Sequence, residues 1–173
     1  MSTPEFSRVV DLRQCDGREI ELVANQQERA ALAERFELVR IDKLEARLAL
    51  TREGDELRAR GTLDAEWVQS CAVSAEDLPV SASEPLTLRF VPASKGDLPD
   101  EDREIDSSDP DEIEYEGTAI DLGEAVAQSF ALAIDPFAVG ADAEAARETL
   151  RGESDGPFAA LAALKRGKDE DTG

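Results

Sequence analysis

The sequence predicts an α+β protein in which a bent antiparallel sheet or partial β-barrel packs against C-terminal helices. Residues 44–67 alternate apolar and polar side chains on both sides of a turn at 53–56. This alternation is typical of a hairpin with one face on a core and the other in water. Residues 121–133 change to a helical period, in which apolar side chains recur three and four positions apart. We therefore expect about five or six strands followed by helices.

The segment before the hairpin predicts two short strands and a helix. Residues 6–11 and 20–24 have strand-like patterns and are separated by an Asp-Gly turn at 16–17. Asn25 has the side chain of a helix N-cap, and Glu28, three residues later, is its expected reciprocal partner. The helix that follows is expected to be short.

An acidic segment separates two further predicted strands, at 86–90 and 113–119. Residues 95–111 are rich in Asp, Glu, Ser and Pro and have no apolar period, which predicts a long mobile loop. Such a run of like charges is typical of a solvated loop, and the alternative is a docking surface for a basic partner. The candidate partner-binding residues are Asp100, Glu101, Asp102, Asp106, Asp109, Asp111 and Glu112.

Three helices are expected after the last strand. Asp121 is the expected N-cap of the first, Glu124 its expected capping partner, and the Asp-Pro pair at 135–136 its end. Two more are predicted over about 141–150 and about 157–166. The side chains expected to be buried against the sheet are Leu122, Val126, Phe130, Phe158, Leu161 and Leu164.

Length and composition indicate one acidic domain. The 173 residues are 41% apolar and contain 40 acids and 19 bases, for a formal net charge of -21. We expect a single domain over 1–166, with a mobile acidic loop near 95–111 and a disordered tail over 167–173. No basic region precedes an apolar run at the N-terminus, and no stretch is apolar over about eighteen residues. We therefore expect a cytoplasmic protein.

The net charge also limits the partners. Phosphate backbones are bound by Lys and Arg, so a strongly anionic protein is repelled by RNA, DNA and anionic lipid. We expect a basic protein as partner, no direct nucleic-acid binding and no membrane. The basic side chains of the hairpin are Arg47, Arg58 and Arg60. One interpretation is that they form a small cationic stripe, but we expect them to pair with Glu45, Glu56 and Asp64 on the exposed sheet face.

The residue types present argue against catalysis. The chain has no histidine, so the usual general base and the commonest metal ligand are missing. The acids of the loop do not have the spacing of a calcium site, and no Ser-x-x-Lys or glycine-rich phosphate motif occurs. We expect no catalytic residue, no cofactor and no metal. The alternatives are a metal- or carboxylate-dependent hydrolase with an unrecognised site, or a generic acidic interaction module.

Cys15 and Cys71 have no Cys-x-x-Cys spacing, and we expect two reduced thiols. The acids Glu66, Glu76 and Asp77 lie near Cys71 in the sequence. They predict a raised pKa for its thiol. Cys71 is therefore expected to be a small, partly buried residue at the end of a strand.

Four motifs occur in the order seen in a known family. They are Val-Gln-Ser-Cys-Ala-Val at 68–73, Leu-Thr-Leu-Arg-Phe-Val-Pro at 86–92, the helical stretch at 120–137 that begins Ile-Asp-Leu-Gly-Glu, and Pro-Phe-Ala-Ala-Leu-Ala-Ala-Leu-Lys at 157–165. In this order the chain resembles the YceD family, the large ribosomal RNA subunit accumulation proteins of bacteria and plastids. Some members carry extra cysteines after the Asp-Pro segment, which suggest a metal site, and residues 137–142 contain none here.

The resemblance implies a role in the synthesis, processing or stability of large-subunit ribosomal RNA. Together with the residue types described above, it leads us to expect a non-enzymatic factor. The charge argument predicts that the protein does not act by binding RNA with its own surface. A basic ribosomal protein of the large subunit, or an assembly intermediate, is the partner that satisfies both arguments.

Overall fold

Two sheets and two α-helices make up the computed structural model over the residues it describes, which are 4–93, 111–143 and 145. The elements are β1 (Val9–Asp11), β2 (Glu19–Val23), α1 (Gln26–Arg35), β3 (Arg40–Glu53), β4 (Glu56–Ser70), β5 (Asp77–Pro92), β6 (Asp111–Tyr115), β7 (Ala119–Asp121) and α2 (Leu122–Ala133). Five strands form the larger sheet in the order β2-β3-β4-β5-β6, and β1 pairs with β7 in a smaller one. The α+β class is confirmed.

The chain divides into two compact units. The larger comprises Met1–Gln69 and Pro79–Asp135, and the smaller comprises Ser70–Leu78 and Pro136–Gly173. The core and the helices described next belong to the larger unit.

The central hairpin forms where the sequence pattern places it. β3 and β4 pair antiparallel from Arg40↔Val68 to Glu53↔Glu56, and Gly54 in the turn has φ +65°. Gly61 lies so close to β3 that a β-carbon there would stand 1.6 Å from the Arg47 carbonyl oxygen. Only glycine permits this approach, which brings the two backbones together in the middle of the sheet.

The larger sheet is mainly antiparallel, with one parallel pair that the sequence did not predict. β5 and β6 pair in parallel, from Leu88↔Asp111 to Pro92↔Tyr115. An alternating pattern shows which side chains share a face but not in which direction the strand runs, so the pattern predicts the strand and leaves its direction open. Over the described ranges, β2 and β6 lie at opposite ends of the sheet, which is not closed into a barrel.

The cap of α1 is confirmed in both directions. The Asn25 side chain accepts from the Glu28 backbone N–H at 3.0 Å, and the Glu28 carboxylate accepts from the Asn25 N–H at 2.8 Å. This reciprocal capping box satisfies two backbone donors that the helix itself leaves without partners.

The cap of α2 is confirmed for Asp121 but not for its predicted partner Glu124. The Asp121 carboxylate accepts from the backbone N–H groups of Gly123 and Glu124 at 3.0 and 3.2 Å. The Glu124 carboxylate does not return to the cap, because it binds the Arg35 guanidinium at 2.9 and 3.0 Å. An ion pair with a distant arginine takes the place of the predicted hydrogen bond between Glu124 and the backbone of the N-cap residue.

The apolar stripe of α2 is buried as predicted. Leu122, Val126 and Phe130 are all 0% exposed, and the Trp67 ring meets the Phe130 ring edge to face at 5.3 Å between centroids. The indole N–H of Trp67 donates to Gln69 at 2.8 Å, so its one polar group has a partner inside the core.

Several sequence predictions fall outside the described residues. These are the acidic loop apart from Asp111, the tail at 167–173, the helix predicted for 157–166 with Phe158, Leu161 and Leu164, and most of the helix predicted for 141–150. The strand prediction for 113–119 corresponds to β6, which begins two residues earlier, and to the start of β7.

Candidate interaction surface

The acidic candidates divide between described and undescribed residues. Those outside the described part are Asp100, Glu101, Asp102, Asp106 and Asp109. Asp111 and Glu112 are the first two residues of β6. The Glu112 side chain is 45% exposed and accepts from Arg89 at 3.1 Å, so this carboxylate both faces solvent and contacts the sheet.

Arg89 connects three neighbouring strands. Its guanidinium donates to Glu56 of β4 at 2.7 and 3.1 Å and to Glu112 of β6 at 3.1 Å. The Tyr115 hydroxyl adds a second attachment by donating to the Asp55 carbonyl oxygen at 2.5 Å. Side chains as well as the backbone therefore hold the edge strand β6 in place.

The arginines of the hairpin have other partners than the sequence suggested. Arg47 binds Glu21 of β2 at 3.0 Å and Arg58 binds Glu53 at 3.4 Å. Arg60 has neither a hydrogen-bond nor an ion-pair partner among the described residues. The predicted pairing of these arginines with Glu45, Glu56 and Asp64 was therefore wrong.

Strand register explains this error. Glu45 lies directly opposite Asp64, so the two carboxylates face each other across β3 and β4. Each finds another partner, Glu45 the Lys43 ammonium at 3.3 Å and Asp64 the Ser83 hydroxyl at 2.6 Å. Like charges placed opposite each other destabilise a strand pair unless a neighbour compensates them.

Most cations of the described chain are neutralised by its own carboxylates. The residues in ion pairs are Arg8, Arg35, Arg40, Lys43, Arg47, Arg58 and Arg89. Arg8 binds Glu28 at 2.7 Å and lowers the pKa of that carboxyl group. Arg35 likewise lowers the pKa of Glu124. These guanidinium groups are already occupied and offer little to a phosphate backbone.

A cleft of about 580 Å³ lies on the outer face of β2, β3 and β4. Its polar lining residues are Glu19, Glu21, Arg47, Arg60 and Thr62. The two acids lie on β2 and the two arginines on β3 and β4, and Arg47 is already bound to Glu21. The cleft has the mixed charge of a solvated sheet face rather than the gathered carboxylates of a hydrolytic site.

A second cleft, of about 530 Å³, runs between α1 and the start of β3. Its lining combines the apolar side chains of Ala33, Leu38 and Val39 with the charged side chains of Glu34 and Arg40. Val39 is 46% exposed. The cleft therefore has a mixed polar and apolar lining and is not an apolar groove of the kind that marks a docking surface.

Cys71 has a different environment from the one its sequence neighbours predict. Hydrogen bonds from the Ser74 hydroxyl and from the backbone N–H groups of Ser74, Gly140 and Val73 lower the pKa of its thiol to about 6. The three N–H donors lie 3.4 to 3.5 Å from the sulfur. The prediction of a raised pKa was wrong, because donors aimed at the sulfur outweigh nearby acids.

The Cys71 side chain is nevertheless enclosed, since the residue is 4% exposed. The Ser74 hydroxyl has a single proton and also lies 3.1 Å from the Glu76 carboxylate, to which it can donate instead. The backbone N–H groups are thus the fixed donors. Cys15 provides the contrast, because burial raises the pKa of its thiol.

Two findings concern metals and membranes. Over residues 4–93, 111–143 and 145, no three or more Cys, Asp or Glu side chains come together in a way that could hold a metal ion. Within the same part of the chain no helix has the length and hydropathy needed to cross a membrane.

Fold and surface together define an acidic α+β protein with an open, mainly antiparallel sheet, in which carboxylates neutralise most described cations. The family model for the large ribosomal RNA subunit accumulation protein YceD matches residues 59–165, which is more than half of the chain. The chain belongs to this family. No curated protein and no solved structure matches it.

Proposed function

We propose that this protein supports the accumulation of large-subunit ribosomal RNA as a non-enzymatic factor that binds a basic protein in the cytoplasm. The partner is a ribosomal protein of the large subunit or an assembly intermediate that contains one. Family membership supports the link to ribosomal RNA. The observation that carries the choice of a protein partner is the net charge of -21, combined with the ion pairs that neutralise seven of the twelve described cations.

The charge gives this proposal a mechanism. Free ribosomal proteins are strongly basic, and an acidic surface attracts them and speeds their encounter. RNA carries negative charge at higher density than a protein surface does, so it displaces the acidic protein when the two compete for the same basic side chains. The protein would shield its partner from unspecific contacts until ribosomal RNA takes over.

The acids that serve this role under the proposal lie in and next to the segment 95–112. Their density of charge acts at a distance within about one Debye length, roughly 8 Å at physiological salt. Binding should therefore weaken steeply as salt rises, whether or not the segment adopts a fixed shape.

The test uses the purified full chain and purified basic proteins of the large subunit, with fluorescence anisotropy as the readout. We expect saturable binding at low salt, weaker binding at high salt, and release when large-subunit ribosomal RNA is added. A lysozyme of similar basic charge serves as the control for unspecific attraction. Equal affinity for the control and for every ribosomal protein, or no release by RNA, would refute the proposal.

A cellular experiment tests the family-level part separately. Depletion of the protein should lower the amount of large-subunit ribosomal RNA relative to small-subunit RNA, and the wild-type chain should restore it. An unchanged ratio after depletion would contradict the role in accumulation itself.

A further inference from the structure

The outer edge of β6 exposes backbone groups that no described strand uses. In the strand order β2-β3-β4-β5-β6, β6 has a neighbour on one side only among the strands that the structure describes. In a parallel pair, one residue directs both its N–H and its C=O to the same neighbour, and the next residue directs both away. The Tyr115 carbonyl oxygen accepts from the Ala93 N–H at 2.9 Å, which fixes this alternation.

The alternation assigns each residue of β6 to one side. Tyr115 and Ile113 direct their backbone groups toward β5. The N–H and C=O groups of Glu112 and Glu114 therefore point to the outer edge. A strand edge of this kind is a template for pairing with another chain.

The side chains of β6 determine which chain would fit. Glu112 and Glu114 are exposed, whereas Ile113 and Tyr115 are half-buried against the core. An added strand would place alternate side chains beside the two carboxylates and the others beside the apolar pair. A strand that matches this edge therefore alternates Lys or Arg with apolar residues.

The geometry points to strand addition at β6 as the way in which this protein binds its basic partner. The partner would contribute an extended segment in which basic and apolar side chains alternate. This inference rests on the proposed function for the nature of the partner. Main-chain hydrogen bonds would supply register and affinity, and the carboxylates would select basic side chains.

The other edge of the sheet provides a matched control. The Ala24 N–H donates to the Leu44 carbonyl oxygen and the Leu50 N–H to the Arg18 carbonyl oxygen, so Glu21 between them directs its backbone groups outward. Each edge therefore has an outward glutamate that is bound to an arginine, Glu21 to Arg47 and Glu112 to Arg89. The edges differ at Val23 of β2, whose outward carbonyl oxygen already accepts from the Arg8 guanidinium at 3.2 Å, so a cation of the chain partly occupies the β2 edge.

The probe is a fluorescent peptide of about ten residues that alternates Lys and Val, long enough for one strand. The full-length protein is titrated and anisotropy is measured. A second peptide has the same sequence with N-methyl groups on its Lys and its Val residues, which removes the pairing donors of both edges and keeps its charge. We expect saturable binding of the first peptide and a loss of about tenfold or more for the second.

Two substitutions on β6 separate hydrogen bonding from charge. Glu114→Pro removes an outward N–H that β5 does not use, and proline is tolerated on edge strands. It should weaken binding about tenfold, whereas Glu114→Gln should cost less and mainly reduce the salt dependence. Glu21→Pro on the opposite edge should leave the affinity within about twofold. Thermal melting checks that each variant folds.

Hydrogen exchange locates the contact without any substitution. With the first peptide bound, the amides of Glu112 and Glu114 should exchange more slowly, and the Glu21 amide should not change. Absence of peptide binding, equal binding of the N-methylated peptide, or unchanged exchange at Glu112 and Glu114 would overturn the inference. A ribosomal protein that binds Glu114→Pro as tightly as wild type would also overturn it while leaving the proposed function intact. Peptide addition at β6 without binding of any ribosomal protein would contradict the proposed function alone.

Discussion

Carboxylates have two different uses in two regions of this molecule. At the N-terminal ends of the helices, Asp121 and Glu28 hold backbone N–H groups, and Glu28 and Glu124 hold arginines. On the edge strand β6, Glu112 and Glu114 face solvent and hold at most one cation of the chain among the described residues. The first group stabilises the fold, and the second group leaves charge available to a partner. Net charge alone does not distinguish them.

A substitution in the core should lower the free energy of unfolding more than a substitution in either group of carboxylates. Phe130 is 0% exposed and packs against Trp67 and Phe36. Phe130→Ala should lower the free energy of unfolding by about 3 kcal/mol, because it removes a buried ring and leaves a cavity. Chemical denaturation measures this loss. A change within about 0.5 kcal/mol would mean that the stripe of α2 does not form the core.

Asp121 should show the largest effect among the acids. Its carboxylate accepts from the Ser7 hydroxyl at 2.6 Å and the Arg8 N–H at 2.7 Å, in addition to its two bonds at the start of α2. Asp121→Ala should cost about 2 kcal/mol of unfolding free energy, and Asp121→Asn, which keeps a capping oxygen, should cost less. Equal losses of unfolding free energy in the two variants would show that Asp121 stabilises the fold by its charge and not by capping α2.

Glu124 should contribute less to the unfolding free energy than Asp121 does, and its contribution should depend on pH. Arg35 lowers the pKa of its carboxyl group below the unfolded value, so its stabilisation is complete above the unfolded pKa of about 4.3 and disappears as the pH falls through the folded one. Glu124→Gln should cost less than about 1 kcal/mol at pH 7, because the pair is partly exposed. Melting of wild type and variant should converge toward pH 3. If wild type and Glu124→Gln differed in stability by the same amount from pH 7 to pH 3, the ion pair with Arg35 could not be the source of that difference.

The acids of β6 should affect association rather than stability. Glu112→Gln combined with Glu114→Gln should change the unfolding free energy by no more than about 0.5 kcal/mol, since both side chains are exposed. The same variant should bind a basic ribosomal protein more slowly at low salt, as measured by stopped flow. Neutral substitutions at the undescribed acids 100–109 should act in the same direction. An unchanged association rate would place the contact on another surface.

The sequence predicted the elements whose causes are local. The Asn25 cap and its Glu28 partner lie three residues apart, and the β3–β4 hairpin follows from an alternation on both sides of one turn. The buried stripe of α2 follows from helical spacing in the same way. In each case the interacting residues are close in the sequence, so the pattern contains the needed information.

Several of the predictions that were wrong involve residues far apart in the sequence. Glu124 binds Arg35, 89 positions away, and the Gly140 N–H that helps to lower the pKa of Cys71 lies 69 positions from it. The parallel direction of β6 likewise depends on how the chain returns after β5. Composition and period contain no signal for such contacts. The candidate partner-binding acids remain a prediction.

Direct RNA binding is the measurement that tests the central claim most sharply. The purified protein is mixed with large-subunit ribosomal RNA at physiological salt and examined by gel shift. The account predicts no shift, because the net charge of -21 opposes phosphate and most described cations are already paired. A tight shift that is lost in a variant with both Arg47→Ala and Arg60→Ala would contradict it, and would make the outer face of the hairpin an RNA-binding surface.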